Sequence, residues 1–173
     1  MSSFFNMDSP LWRFLGRLAD IMILNIVFLI TCIPIVTIGA AWTSLSYVTL
    51  KMSRDEESYI VKSYFKAFRQ NFRQATAIWI LTLAAMLIFY MDFHIIRNMA
   101  SSMAQIMYVL LSAIALLFGL TLLYVFPVLA KFDNTTLNTI KNAFLISISN
   151  LPRTLLMLAV VVGSAVLTFL SQQ

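Results

Sequence analysis

The stretch that decides the fold is Ile21–Leu50, IMILNIVFLITCIPIVTIGAAWTSLSYVTL. Its thirty residues contain no charged side chain, and Pro34 and Gly39 interrupt them. A helix needs about 20 apolar residues to cross the hydrocarbon core of a bilayer, so this stretch is long enough to place the chain in a membrane. Proline removes a backbone donor and blocks the helix, so the first membrane element is not one straight helix.

Three further charge-free runs have the length of a membrane span: Gln74–Met91, Asn98–Ala130 and Thr154–Gln173. Hydrophobic residues make up 61% of the chain, whereas soluble domains contain about 45–50%. The sequence therefore predicts an all-α fold. We expect a polytopic helical membrane protein with four to five membrane-embedded helices and two cytoplasmic interfacial amphipathic helices.

The expected elements belong to a single membrane domain, residues 1–173, and follow the alternation of apolar and polar segments. They are span 1 at 10–33, a break at 34–39, a short returning helix at 40–51, an interfacial helix at 56–73, spans at 75–91 and 103–129, a second interfacial helix at 136–150, and a last span at 154–170. A short polar turn is expected over Asp92–Arg97.

The two polar segments have the pattern of helices that lie at a membrane surface. In the first, the apolar side chains of one arc face away from four basic ones; the apolar set is Ile60, Tyr64, Phe65, Phe68 and Phe72, and the basic set is Lys62, Lys66, Arg69 and Arg73. In the second, Leu137, Ile140, Phe144, Ile148 and Leu151 share one face. Such helices turn their cations toward anionic lipid, so the lipid bilayer is the first expected partner.

The distribution of basic residues predicts the orientation, because Lys and Arg accumulate on the cytoplasmic side. If residues 21–50 turn back within the membrane, eleven of the twelve Lys and Arg residues are cytoplasmic. If they cross once, the N-terminus lies outside and the division is nine to three. The first alternative satisfies the rule better, so we expect a multi-pass protein of the cytoplasmic (inner) membrane with a cytoplasmic N-terminus.

Polar residues around the break are the first candidates for a site. Asn25 lies inside span 1, and we expect its amide to form an interhelical hydrogen bond. Thr31 and Thr37 flank the break and can bond carbonyl groups that Pro34 leaves without a donor. The alternative is that Asn25, Pro34, Thr37 and Gly39 line a substrate path, as in the broken helices of transporters.

The remaining candidates lie in the two polar segments. Arg54, Asp55, Glu56 and Glu57 form a dense charge cluster, which is either a solvated helix start or a docking surface for a partner. Asp133 or Asn134 is expected to cap the second interfacial helix. Asn71 and Asn150 are placed where an interfacial helix meets a span, before Arg73 and Arg153, and are expected to bond backbone groups at a bend there.

The composition argues against several kinds of chemistry. Four glycines and one histidine cannot supply a phosphate loop, a metal site or a catalytic triad, so no cofactor, metal or catalytic residue is predicted. Cys32 has no second cysteine to pair with. The net charge of +5 fits the orientation rule, so nucleic acid is not expected as a partner.

Three segments identify a family resemblance: LNIVFLITCIPIVTIGAAWTSLSYVTLK, RDEESYIVKSYFKAFRQNFRQAT and FPVLAKFDNTTLNTIKNAF. They resemble the YesL-type membrane proteins of Gram-positive bacteria, a family of unknown function. The resemblance covers about residues 4–160 and implies a small polytopic protein of the cytoplasmic membrane. It also implies an accessory role in carbohydrate uptake, because members are often encoded beside carbohydrate-uptake transporters and glycan-degrading enzymes. Members of the family continue with a further apolar helix, so either this member is shorter or its last helix is missing.

The function expected from these observations is that of a non-enzymatic accessory or regulatory component linked to carbohydrate uptake. Transporter subunits, or further copies of the chain in a homo-oligomer, are its expected protein partners. The first alternative is a small stand-alone transporter or channel. The second is an enzyme acting on a lipid-linked substrate through the acidic residues of the polar segments.

Overall fold

The described part of the chain is helical throughout. The computed structural model describes residues 10–54, 56, 59–99, 102–132, 134–154 and 156, and within these ranges it contains no strand. Its elements are α1 (Pro10–Cys32), a 3-10 helix (Ile35–Thr37), α2 (Ile38–Met52), α3 (Ile60–Arg97), α4 (Ser102–Lys131) and α5 (Thr136–Ser149). Residues 151–154 are helical again. The predicted all-α fold is confirmed.

Three of these helices are long and apolar enough to cross a membrane. The qualifying segments among the described residues are Leu15–Cys32, Ile60–Arg97 and Met103–Lys131, with 18, 38 and 29 residues. They contain or overlap the predicted spans at 10–33, 75–91 and 103–129. The predicted span at 154–170 lies almost entirely outside the described residues. The structure therefore supports a helical membrane protein with three candidate spans.

The first two helices form a hairpin around Pro34. Helix α1 ends at Cys32, Pro34 is extended (φ −76°, ψ 121°), and one 3-10 turn leads directly into α2. Leu24 of α1 and Val48 of α2 belong to one buried cluster with Tyr64 of α3, so α2 returns alongside α1. The break is shorter than the predicted 34–39, because proline alone ends the helix and Gly39 lies buried inside α2.

Helix α3 differs most from the sequence-based prediction. The expected interfacial helix at 56–73, the span at 75–91 and the polar turn at 92–97 are one continuous helix from Ile60 to Arg97. No proline or glycine occurs in this range, so nothing interrupts its backbone hydrogen bonds where the composition changes. At 1.5 Å per residue the helix is about 57 Å long, nearly twice the ~30 Å of a bilayer core.

Helix α5 agrees in position with the second predicted interfacial helix but has a different cap. Thr135, with extended backbone (φ −66°, ψ 155°), is its N-cap, instead of the predicted Asp133 or Asn134. The small residues Thr139, Ala143 and Ser147 form its buried face. The predicted apolar face points outward, and Leu137 is 80% exposed.

The chain divides into two compact units, which are Met1–Ala84 with Leu129–Asp133 and Ala85–Val128 with Asn134–Gln173. In the first, the α1–α2 hairpin packs on the first half of α3. In the second, ring pairs join α3 to α4: Phe89 with Phe118 at 5.4 Å between ring centroids, and Phe93 with Tyr108 at 5.3 Å. The hydrogen bonds around the Pro34 break all lie in the first unit.

Because α3 is uninterrupted, we expect Gln74→Pro to destabilise the protein strongly. Proline at position 74 removes a helical hydrogen bond and clashes with the preceding turn, at a cost of about 3 kcal/mol. Proline at the first position of a separate span would be tolerated. Unfolding in detergent, followed by circular dichroism, measures the difference. Gln74→Ala, which removes the same side chain but keeps the backbone bond, is the control; equal stability of the two variants would show that the helix ends here.

Candidate functional site

The break at Pro34 is closed by hydrogen bonds from its own residues. The Thr37 hydroxyl lies 2.6 Å from the carbonyl oxygen of Thr31 and 2.7 Å from that of Pro34. The backbone N–H of Thr37 donates to the Pro34 oxygen at 3.0 Å, and that of Ile33 donates to Ile30 at 3.3 Å. The hydroxyl and the backbone N–H of Thr37 thus bond carbonyl groups that, in a continuous helix, would accept from other backbone N–H groups.

Tyr64 connects all three helices of the first unit. Its side chain is fully buried, and its hydroxyl hydrogen-bonds the Thr31 hydroxyl and lies 3.4 Å from the carbonyl oxygen of Ala41. The Thr31 hydroxyl also lies 3.0 Å from the carbonyl oxygens of Val27 and Phe28. Since a hydroxyl has one proton and two lone pairs, Thr31 can donate to its own helix and accept from Tyr64.

Trp79 fixes the other end of the break. Its indole N–H donates to the carbonyl oxygen of Ile35, inside the 3-10 turn, at 2.8 Å. Tyr64 and Trp79 are fifteen positions, or about 22 Å, apart along α3, and their side chains converge on Thr31 and Ile35, which are four positions apart. We call Thr31, Ile35, Thr37, Tyr64 and Trp79 the break junction.

Aromatic rings extend the contact on the N-terminal side of α3. Tyr64 stacks on Phe68 at 6.3 Å between ring centroids, and Phe68 contacts Phe72 at 5.5 Å. Phe65 meets Tyr64 edge-on at 5.7 Å. These pairs fix the Tyr64 ring, and with it the direction of the hydroxyl that bonds Thr31.

Asn25 lies inside the first candidate span, but its hydrogen bond stays within its own helix. Its amide nitrogen donates to the carbonyl oxygen of Ile21 in its own helix at 2.9 Å, and the residue is exposed. Among the described residues, the hydrogen bond of Asn25 is local, in place of the expected interhelical one. The amide reaches the carbonyl four residues earlier because helical side chains point toward the preceding turn.

The amides in the two polar segments also bond locally. Asn71 donates to Ala67 at 3.1 Å within the continuous helix α3, so the expected bend at Asn71 is not a helix end. Asn150 donates to Ile146 at 3.1 Å and ends α5, where the chain does turn. His94 lies in the last turns of α3, with its Nδ1 atom 3.2 Å from the Asn98 amide nitrogen.

The charged candidates that the structure describes are exposed. Glu56 and Arg73 are exposed, and the Glu56 backbone N–H donates to the Lys51 carbonyl at 3.2 Å. Asn134 is half-buried and has a contact of its own. Asp55, Glu57 and Asp133 lie outside the described residues, and among the described ones no three metal-ligating side chains converge.

Two comparisons with known proteins bear on this arrangement. Residues 21–93 match the family model "Protein of unknown function, DUF624". The chain is also 26% identical over 148 residues to the "Uncharacterized protein YesL" of Bacillus subtilis (strain 168), an alignment that covers 85% of this chain and 69% of the relative. The predicted resemblance to the YesL-type family is confirmed. No solved structure matches the chain.

The part of the chain that matches the family model contains the whole break junction, from Thr31 to Trp79. Sequence reasoning found Thr31 and Thr37 but missed Tyr64 and Trp79 as their partners. One signal was available, because Tyr64 is the only hydroxyl-bearing ring in an arc otherwise formed by Phe65, Phe68 and Phe72. A buried phenol requires a hydrogen-bond partner. No comparable signal in the apolar run around Trp79 points to Ile35.

We expect Tyr64→Phe to lower the free energy of unfolding by about 1 kcal/mol, because it removes the shared hydroxyl and leaves the ring in place. Thr31→Val should cost a similar amount, and the double variant less than the sum, since both remove one bond. Chemical unfolding of the four proteins in detergent measures this cycle. Tyr90→Phe, at an exposed ring of α3, is the control. Additive losses would show that the two hydroxyl groups act separately.

Proposed function

We propose that this protein is a non-enzymatic accessory or regulatory component of a membrane assembly for carbohydrate uptake, bound to it through helix α1. The link to carbohydrate rests on what the resemblance to the YesL-type family implies. The proposal of an accessory role rests on one structural observation, the exposed Asn25 in the middle of the α1 span.

Asn25 stands alone on an apolar surface. It lies near the middle of Leu15–Cys32, and the nearby side chains Met22, Ile26 and Leu29 are each more than half exposed. Within the described residues its hydrogen bond is the one to Ile21, so a second amide proton and the amide oxygen are available. In hydrocarbon these atoms would lack partners, at a cost in free energy.

A polar side chain on a neighbouring transmembrane helix would remove that cost. Interhelical hydrogen bonds of this kind contribute about 0.5–2 kcal/mol and orient one helix against another. In the described structure α1 is also the least covered of the three candidate spans, with 6% of its apolar segment buried. A transporter subunit with a polar residue at the same depth is therefore the proposed partner of α1.

The stand-alone transporter is less well supported. A path through the chain would need polar groups that face its interior, whereas Asn25 faces outward. The polar atoms of the break junction already bond one another and the backbone. These contacts favour a structural role for the break.

The orientation belongs to the same proposal. With the N-terminus in the cytoplasm, α1 and the returning α2 bring the segment after Met52 back to the cytoplasmic side. The exposed Arg54 and Glu56 of this segment would then be available to a cytoplasmic domain of the partner. This arrangement places α3 with its basic end in the cytoplasm, as the orientation rule favours.

We expect Asn25→Leu to reduce the amount of transporter subunit that is crosslinked and co-purified from native membranes by about fivefold, equivalent to 1 kcal/mol. Asn25→Gln, which keeps an amide, should retain most of it, and Ile26→Leu, an exposed apolar neighbour, is the matched control. Sugar uptake should fall with Asn25→Leu in parallel. Recovery of the same proteins with wild type and Asn25→Leu, together with unchanged uptake, would refute the proposal.

A further inference from the structure

Four basic side chains form one exposed stripe along the first turns of α3. Lys62, Lys66, Arg69 and Arg73 are spaced i, i+4, i+7 and i+11, so they lie within an arc of about 60° along some 16 Å of helix. All four are exposed. We call them the basic stripe.

The basic stripe points away from the rest of the first unit. On the opposite side of α3, Tyr64, Ala67 and Ala75 are fully buried. No Asp or Glu occurs between Ile60 and Met91, and none of the four cations has a carboxylate partner among the described residues. Within the part of the chain that the structure describes, the stripe is therefore a positive surface that no carboxylate pairs with.

The same side of α3 becomes apolar directly after the stripe. Ala77, Ile80 and Ala84 continue the arc of Lys66 and Arg73, and all three are exposed. Since α3 is uninterrupted, these apolar residues and the cations are rigidly linked on one helix side. A surface that is apolar at one end and cationic at the next turn matches the boundary between acyl chains and headgroups.

We propose that the basic stripe binds the headgroups of anionic phospholipids, with Arg73 and Arg69 in the nearest layer and Lys66 and Lys62 farther from the hydrocarbon. Basic residues next to a span are each attracted to an anionic leaflet by about 1 kcal/mol. The arginine fork also binds phosphate oxygens in pairs. Binding of an acidic protein segment would not require the cations to lie in line with an exposed apolar side. The alignment therefore favours lipid over protein as the ligand.

The test uses the full chain reconstituted into phosphatidylcholine vesicles that contain spin-labelled phosphatidylglycerol or phosphatidylcholine. Electron paramagnetic resonance then gives the ratio of the association constants of the two lipids. The wild type should prefer phosphatidylglycerol, and Arg69→Gln/Arg73→Gln should lower this ratio about fivefold or more. Lys62→Gln/Lys66→Gln should lower it less, because these positions are farther from the apolar segment.

Two control variants distinguish the effect of the basic stripe on this ratio from the effects of total charge and of misfolding. Arg97→Gln/Lys141→Gln removes two exposed cations elsewhere and should change the ratio less than the Arg69/Arg73 variant does. Arg69→Lys/Arg73→Lys keeps the charges and should keep the preference. An unchanged ratio in Arg69→Gln/Arg73→Gln, or an equal loss in the control, would overturn the proposal. A second result would also overturn it: the wild type shows no lipid preference, and Arg69→Gln/Arg73→Gln loses a protein that is crosslinked to the wild type in native membranes. That result would identify a protein ligand.

Discussion

A proline cannot donate a backbone hydrogen bond, and the first unit of this protein is arranged around the carbonyl groups that Pro34 leaves without their helical donors. Within the break, the Thr37 hydroxyl lies in hydrogen-bond range of the Thr31 and Pro34 carbonyl oxygens, and the latter also accepts from the Thr37 backbone N–H. Trp79 of α3 adds a second donor to the Ile35 carbonyl oxygen, which also accepts from the Ile38 backbone N–H, and Tyr64 fixes the preceding turn of α1 through Thr31. The contacts from α3 therefore fix the hairpin in place, while hydrogen bonds within the hairpin pair these backbone oxygen atoms in hydrocarbon, where no water can do so.

The need of every polar group in hydrocarbon for a hydrogen-bond partner also applies to the small polar residues inside the helices. Thr43, Ser44, Thr82 and Thr139 are buried, and each hydroxyl donates to the carbonyl group four residues earlier. Such bonds satisfy the hydroxyl without a partner helix, so these residues act as small packing surfaces. Within the described residues, the buried hydroxyl of Thr76 is the exception, with no hydrogen-bond partner.

Two outer surfaces of the first unit differ in chemistry. Helix α1 presents an apolar side with one amide at mid-span, which suits another transmembrane helix that can hydrogen-bond. Helix α3 presents cations that continue an exposed apolar side, which suits lipid headgroups. The two proposals are independent, because Asn25 and the basic stripe lie on different helices and bind partners through different interactions.

The sequence by itself determined the all-helical fold, the position of the break and the family resemblance, because long apolar runs, a proline and segment composition are local properties. It also placed the basic side chains of α3 on one arc, since helical periodicity requires no tertiary information. It divided α3 wrongly, because a change from polar to apolar residues alters the surroundings of a helix and leaves its backbone hydrogen bonds intact. Only the tertiary structure decided that Asn25 faces outward and that Tyr64 and Trp79 close the break. Residues 33 and 44 positions apart in the chain meet there through packing of the hairpin on α3, and no local pattern records that contact.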